Sequence, residues 1–277
     1  MAKLRAYQPV FYQFISEIEK GFLLLDETSR AEIVAFVKSQ QHNYGAFANR
    51  AGNPDLYYSL FGSWLSVALK LEVQQKNLTQ YISTHPTKPE KIVDRFSRLL
   101  ICLILGNEEE KPSFFELTRW ILQGGKNLNT AYQFFLFMLS FDALYGKKRW
   151  LYFLVRQFLN FYKPGNELPC SFYASLLFVR FITGKKTHKD ASELMSYFES
   201  GKGFKVFRDL GNADLLSTGV ALFVLKKVGA DLRMVIPDCL NLIQENYDNG
   251  AFLSGDGDLS RDMEYTFYGL LTLGVLS

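Results

Sequence analysis

The carboxylates able to do chemistry in this chain of 277 residues gather at a few places. Asp256, Asp258, Arg261, Asp262 and Glu264 form its densest ionisable cluster. One or two carboxylates in such a group could serve as a general acid or hold magnesium for a diphosphate. A second candidate is Asp214, in the stretch Asn212-Ala213-Asp214-Leu215, where Asn212 could act as its hydrogen-bonding partner. Both places lie directly ahead of segments dense in apolar residues, and Asp55 stands in the same register ahead of a third. Recurrence in one register is what helix N-caps require, and acids in a first helical turn also answer the helix dipole. The candidate acids are therefore Asp214, Asp262 and Glu264, with capping as the competing role.

That register belongs to a repeat, and a repeat outranks local pattern. Tyr44-Gly45-Ala46-Phe47 is followed by Asp55-Leu56-Tyr57-Tyr58-Ser59, and Asn249-Gly250-Ala251-Phe252 by Asp262-Met263-Glu264-Tyr265-Thr266. Gly203-Phe204 ahead of Asp214 is a reduced version. Between these points, amphipathic helices alternate with helices apolar nearly all round, which start near Asp55, Ile92, Thr130, Pro169, Asp214 and Asp262. A helix apolar on every side must be buried, whereas an amphipathic one can face water. Six of each predict an all-α chain, one domain over residues 1–277, folded as an (α/α)6 toroid of inner and outer helices, with an open helical solenoid as the competing arrangement. The first two amphipathic segments carry Phe11, Phe14, Ile15, Ile18 and Phe22, then Ile33, Val34, Phe36 and Val37; Thr28 or Ser29 is the expected cap of the second. No strand alternation is visible.

Composition bounds the function. At 48% hydrophobic and 21% charged the chain reads as well packed, and its 25 Phe and 15 Tyr exceed what a core of this size needs. The surplus suggests an aromatic core or a lined cavity. A net charge of +3 with scattered Lys and Arg gives no footprint for nucleic acid. Cys102, Cys170 and Cys239 are far apart and odd in number, which suggests a reducing compartment. The N-terminus shows no apolar leader, and no apolar window is long enough to span a bilayer, so a cytoplasmic, non-transmembrane protein is expected.

Gln41-x-x-x-Gly45-x-Phe47, with a looser copy from Gln244 to Phe252, resembles the QW motif of the squalene-hopene and oxidosqualene cyclases, with Phe in place of Trp. The Gly-Ala-Phe to Asp phrases are similar to the repeat of protein prenyltransferase β subunits. The resemblance implies a toroid with a central aromatic cavity for an isoprenoid or another apolar small molecule. Its lining would come from Tyr57, Tyr58, Phe61, Trp64, Tyr132, Phe135, Phe172, Tyr173, Tyr265 and Tyr268. Ring faces of this kind can stabilise a carbocation.

The prenyltransferases hold zinc through an Asp, a Cys two residues on and a His. Here Tyr57 and Glu264 stand two after Asp55 and Asp262, and His42, His85 and His188 lie elsewhere. No zinc triad can be assembled. The DxDD acid of class II terpene cyclases survives only in the degenerate stretches around Asp214 and Asp256-Gly257-Asp258. What remains is acid-initiated cyclisation or rearrangement of a prenyl chain, driven by Asp214 or by the Asp262 and Glu264 cluster. It needs no cofactor, and magnesium is the metal the cluster would suit. The alternative is a toroid that binds a lipid or acts as a scaffold without catalysis. A partner protein completing the site, as in the prenyltransferases, is compatible with either.

Overall fold

The computed structural model describes residues 8–85, 91–107, 111–123, 130–146, 149–161, 168–209 and 211–277. Helices dominate them. In chain order they are α1 (Val10–Leu24), α2 (Glu27–Ser39), α3 (Leu56–Ala68), α4 (Glu72–Thr84), α5 (Ile92–Leu105), α6 (Phe114–Gln123), α7 (Thr130–Tyr145), α8 (Arg149–Phe161), α9 (Cys170–Ile182), α10 (His188–Met195), α11 (Leu215–Lys227), α12 (Ile236–Glu245) and α13 (Met263–Leu276). The predicted starts of the apolar helices therefore fall within a residue of α3, α5, α7, α9, α11 and α13. Two antiparallel strand pairs accompany them, β1 (Phe198–Glu199) with β2 (Gly203–Phe204) and β3 (Tyr247–Asp248) with β4 (Ala251–Phe252). At two residues each, they are too short for alternation to register in sequence.

The repeat acts locally through three devices. Asp55, Asp214 and Asp262 cap α3, α11 and α13, accepting from the backbone N–H of Tyr58 at 3.1 Å, Ser217 at 2.6 Å and Tyr265 at 2.9 Å. One turn further on, the hydroxyls of Ser59, Thr218 and Thr266 accept from the backbone N–H of Phe47 (2.8 Å), Phe204 (3.1 Å) and Phe252 (3.4 Å). A further turn on, Gly62 and Gly269 leave room for the rings of Phe47 and Phe252, which a Cβ would strike. The Phe47 and Phe252 turns are thus clamped to the first two turns of the helices that follow them, and the Phe204 turn to the first turn of α11. Gln41 adds a further link, donating from Nε2 to the Gly45 and Gln74 carbonyls at 2.9 Å each. The cap of α2 differs from expectation. Asp26 holds that position, and Ser29 is its donor through both N–H and hydroxyl.

These clamps are buried, and their loss has a calculable sign. Phe204 and Thr218 are fully buried, so Thr218→Val leaves a buried N–H without an acceptor at nearly constant volume. Such an orphan costs about 1–3 kcal/mol. Urea unfolding should show that loss for Thr218→Val and a smaller one for Thr266→Val, whose bond is longer.

The apolar helices pack in succession, α3 on α5, α5 on α7, α7 on α9, α9 on α11 and α11 on α13, and α13 returns to α3. The even-numbered helices flank this circuit, with α4, α6, α10 and α12 each against the two apolar helices adjacent in sequence. Burial follows the division. Almost all of α11 and α13 is inaccessible, whereas α4 buries only Leu78 and Ile82 and α10 only Leu194.

Helix α1 belongs to neither set. It packs on α13, α3 and α7, and its Phe14 ring lies 5.7 Å from Trp64, 6.3 Å from Phe135, 4.8 Å from Phe223 and 5.8 Å from Phe267. One side chain thus touches α3, α7, α11 and α13 together. Burying a Phe in this way contributes roughly 1.5–3 kcal/mol. The start of α1 is fastened by Asp142 of α7, whose Oδ2 accepts from the Val10 N–H at 2.8 Å while Oδ1 accepts from the Tyr152 hydroxyl at 2.8 Å. Toward its end, Gly21 meets the backbone of Leu270 and Gly274, and Gly274 meets the Glu17 carbonyl. Helices α1 and α13 therefore touch backbone to backbone. The free space beside Phe14 is about 30 Å³, bounded by Val10, Phe135, Phe178, Phe223 and Phe267 among others. Small-molecule pockets run to roughly 300–1,000 Å³.

Candidate functional site

The N-terminal ends of α3, α11 and α13 bring the sequence-predicted acids to one end of the helix circuit. Arg50, in the turn before α3, donates from Nε to Asp262 Oδ2 at 2.7 Å and from NH1 to Asp258 Oδ2 at 2.6 Å. Burial alone would lower the Arg50 guanidinium, but its bond to Asp262 outweighs this and holds its pKa raised. Both oxygens of Asp262 are thereby engaged, one by the Tyr265 N–H and one by Arg50. Asp262 is a cap and a tie between the first and last repeats.

Asp214 is 6% exposed. Burial pushes its carboxyl up to about 6, against the opposing hydrogen bonds from Ser217. Ser217, rather than the expected Asn212, is its hydrogen-bonding partner among the described residues.

Glu264 stands apart from the two caps. It is 9% exposed, and its Oε1 accepts from the Tyr57 hydroxyl at 2.6 Å. Burial raises the carboxyl to about 7, the Tyr57 bond pulls it down, and the Asp262 charge pushes it up again. Helix α3 supplies Tyr57 at its second position and α13 supplies Glu264 at its second, so equivalent positions of the first and last repeats meet. Around them, Tyr57 edges onto Phe61 at 5.1 Å and Tyr58 at 5.4 Å. The Arg50 guanidinium lies 5.8 Å from the Tyr265 ring. Burial lifts the Tyr58 phenol to about 12, so it stays a neutral donor.

The aromatic residues expected to line a cavity divide into two groups. Phe61, Trp64 and Tyr268 are at most 2% exposed and pack on one another or on Phe267. They form core around Phe14. Tyr57, Tyr58, Phe172 and Tyr265 are half-buried at helix starts, and Phe135 is half-buried beside Phe14. Tyr173 is buried beneath the Arg208 guanidinium, 5.9 Å from its ring. The side chain of Tyr132 lies outside the described residues.

No protein-family model, curated protein or solved structure matches this chain. Its chemistry has to be read from the groups themselves. Carboxyls near 6 and 7 occupy both protonation states around neutrality, which suits general acid and base work. Among the described residues no group of three or more His, Cys, Asp or Glu is placed to hold a metal ion. The buried thiol of Cys170 is held well above its usual range by burial, then by the Asp214 charge, which leaves little reactive thiolate.

The Ser/Thr and Gly of the repeat clamp, and the Tyr57 to Glu264 pair, were not anticipated. The clamp had a signal: Ser59, Thr218 and Thr266 each stand four residues after a capping Asp, and Gly62 and Gly269 seven after.

Proposed function

We propose that the chain is an α/α toroid that takes an isoprenoid or similarly apolar small molecule where α3, α11 and α13 begin, with Glu264 as the group that exchanges a proton with it. In this reading α3, α5, α7, α9, α11 and α13 are the inner ring, the even-numbered helices the outer one, and α1 fills the middle. The ligand then belongs at the N-terminal end, against Tyr57, Tyr58 and Tyr265, rather than at the centre. The observation that carries the reading is Glu264 itself, a nearly buried carboxyl poised near neutrality, with one oxygen on a phenol and aromatic faces around it. Buried carboxyls with a shifted pKa mark functional sites more often than chance. A second reading, binding without chemistry, draws on the capping geometry of Asp55, Asp214 and Asp262, which leaves Glu264 as the one candidate acid without a structural duty to a backbone N–H.

The test is native mass spectrometry of the wild type and of Glu264→Gln, followed by solvent extraction and identification of what co-purifies. A polyprenyl compound in both, differing in identity between them, is the expected result. The same compound in both would make the protein a carrier. Absence of any ligand from both, with no uptake of added polyprenyl compounds, would defeat both readings.

A further inference from the structure

The outer helices α6 and α8 carry their apolar side chains on the wrong face for a soluble surface. Phe115 and Leu122 of α6 and Trp150, Phe153 and Leu154 of α8 are between 53% and 82% exposed. On α8 the three exposed residues fall at positions i, i+3 and i+4, one stripe of a helix, and on α6 Phe115 and Leu122 stand seven apart, two turns along one face. The opposite faces do the packing. Phe114 of α6 and Tyr152 of α8 both meet Phe141 of α7, at 6.2 and 5.6 Å. The two helices thus lie on the same residue of α7, with Phe115, Leu122, Trp150, Phe153 and Leu154 turned outward. Scattered exposed apolar residues need no explanation, but five large ones on neighbouring helices do.

Charge in this region identifies what such a face would meet. Between Lys111 and Lys163 there are eight Lys and Arg against two acids, so this stretch carries +6 and the rest of the chain −3. Of the two acids, Asp142 is buried under α1 and Glu116 is turned back to accept from the Ser113 N–H that opens its own helix. The exposed Arg119 and Arg156 lie beside the apolar stripes. A tryptophan and aliphatic stripe flanked by cations, on a helix too short to span a bilayer, is the composition that settles into a lipid headgroup layer. No described helix is long and apolar enough to cross a membrane.

We infer that the α6 and α8 face docks on the surface of an anionic lipid bilayer, with Trp150, Phe153 and Leu154 in the headgroup layer and Arg119 and Arg156 on the lipid phosphates. The inference stands on the exposed face and its charge, and does not need the ligand reading above.

The experiment is co-sedimentation of the full chain with vesicles of phosphatidylcholine alone and with 30 mol% phosphatidylglycerol, at low and at 0.5 M salt. The wild type should bind the anionic vesicles at least tenfold more tightly than the neutral ones and lose most of that binding in high salt. The double variant Phe153→Ser, Leu154→Ser should lose at least tenfold in affinity, while Met234→Ser, an exposed apolar residue in another part of the chain, should bind like the wild type. Trp150 is the strongly exposed tryptophan, so brominated lipid should quench the wild type and spare Trp150→Phe. Circular dichroism establishes that each variant is folded. Failure to sediment with either vesicle, or equal binding by the double variant, would overturn the inference. So would a dimer in light scattering that the double variant converts to monomer, since a second copy would then be the occupant of this face.

Discussion

Replacing Gly274 by Ala should destabilise the protein by about 3 kcal/mol or more, although Ala is the better helix former by about 1 kcal/mol. The reversal of sign is the point of the experiment. Gly274 lies within α13, and a Cβ there would fall on the backbone carbonyl of Glu17 in α1; a Cβ at Gly21 would likewise fall on the Leu270 carbonyl. Backbone atoms cannot turn aside as a side chain does, so α1 would have to lift from α13. Lifting it would also pull Phe14 from among Trp64, Phe223 and Phe267, and the first loss would carry the second with it. Gly219→Ala is the comparison, because its Cβ would meet the Thr272 hydroxyl at 2.8 Å, a side-chain group with some freedom to yield. Thermal unfolding should drop by roughly 5–10 °C for Gly274→Ala and by clearly less for Gly219→Ala. Equal, small effects would mean that α1 is not seated where its backbone meets α13.

The same helix marks the limit of what could be read from residue order. The six apolar helices announced themselves, because a segment apolar on all sides has one fate whatever its neighbours are, and Asp55, Asp214 and Asp262 advertised their starts. Helix α1 carries an ordinary amphipathic stripe in Phe11, Phe14 and Ile18, and nothing local separates a helix lying outside a packed set from one lying within it. The distinguishing feature is the pairing of Gly21 with Gly274, which no periodicity can reveal across most of the chain. The amphipathic stripe of α1 likewise gave no sign that Phe14 would meet α3, α7, α11 and α13 together.

The site divides in the same way. Capping by the three Asp was legible because it depends on one residue and the turn that follows it. That Glu264 would differ from Asp262, two positions earlier, was not. It depends on Tyr57, 207 residues away, and on how deeply α13 is packed at that point. The aromatic surplus, expected in a core or around a cavity, has two destinations. Part of it closes around Phe14, and part, on α6 and α8, stays outside; an apolar stripe in sequence does not state which way it faces when the opposite stripe is apolar too.

The proton on Glu264 supplies the other large effect. Its carboxyl is raised by burial from 4.5 to about 7 in the folded protein, so between those values the folded state holds a proton that the unfolded chain has released. Folding is then opposed increasingly as pH rises through that window, and above it the full penalty, about 3 kcal/mol, persists. Glu264→Gln removes the titration while keeping an oxygen for the Tyr57 hydroxyl. Its stability relative to wild type should be near zero change below pH 4.5, climb through neutrality and level off above pH 8 at a gain of about 3 kcal/mol. Asp214→Asn should behave likewise over a lower window, from 3.8 to about 6, because Asn retains a capping oxygen for the Ser217 N–H. Tyr57→Phe should push the Glu264 transition to higher pH, since that hydroxyl now favours the ionised carboxyl. Urea unfolding from pH 4 to 9 measures all three. A Glu264→Gln difference that is flat across this range would show that the carboxyl ionises as freely in the folded protein as in the unfolded one, and would remove the proton-exchanging group on which the catalytic reading depends.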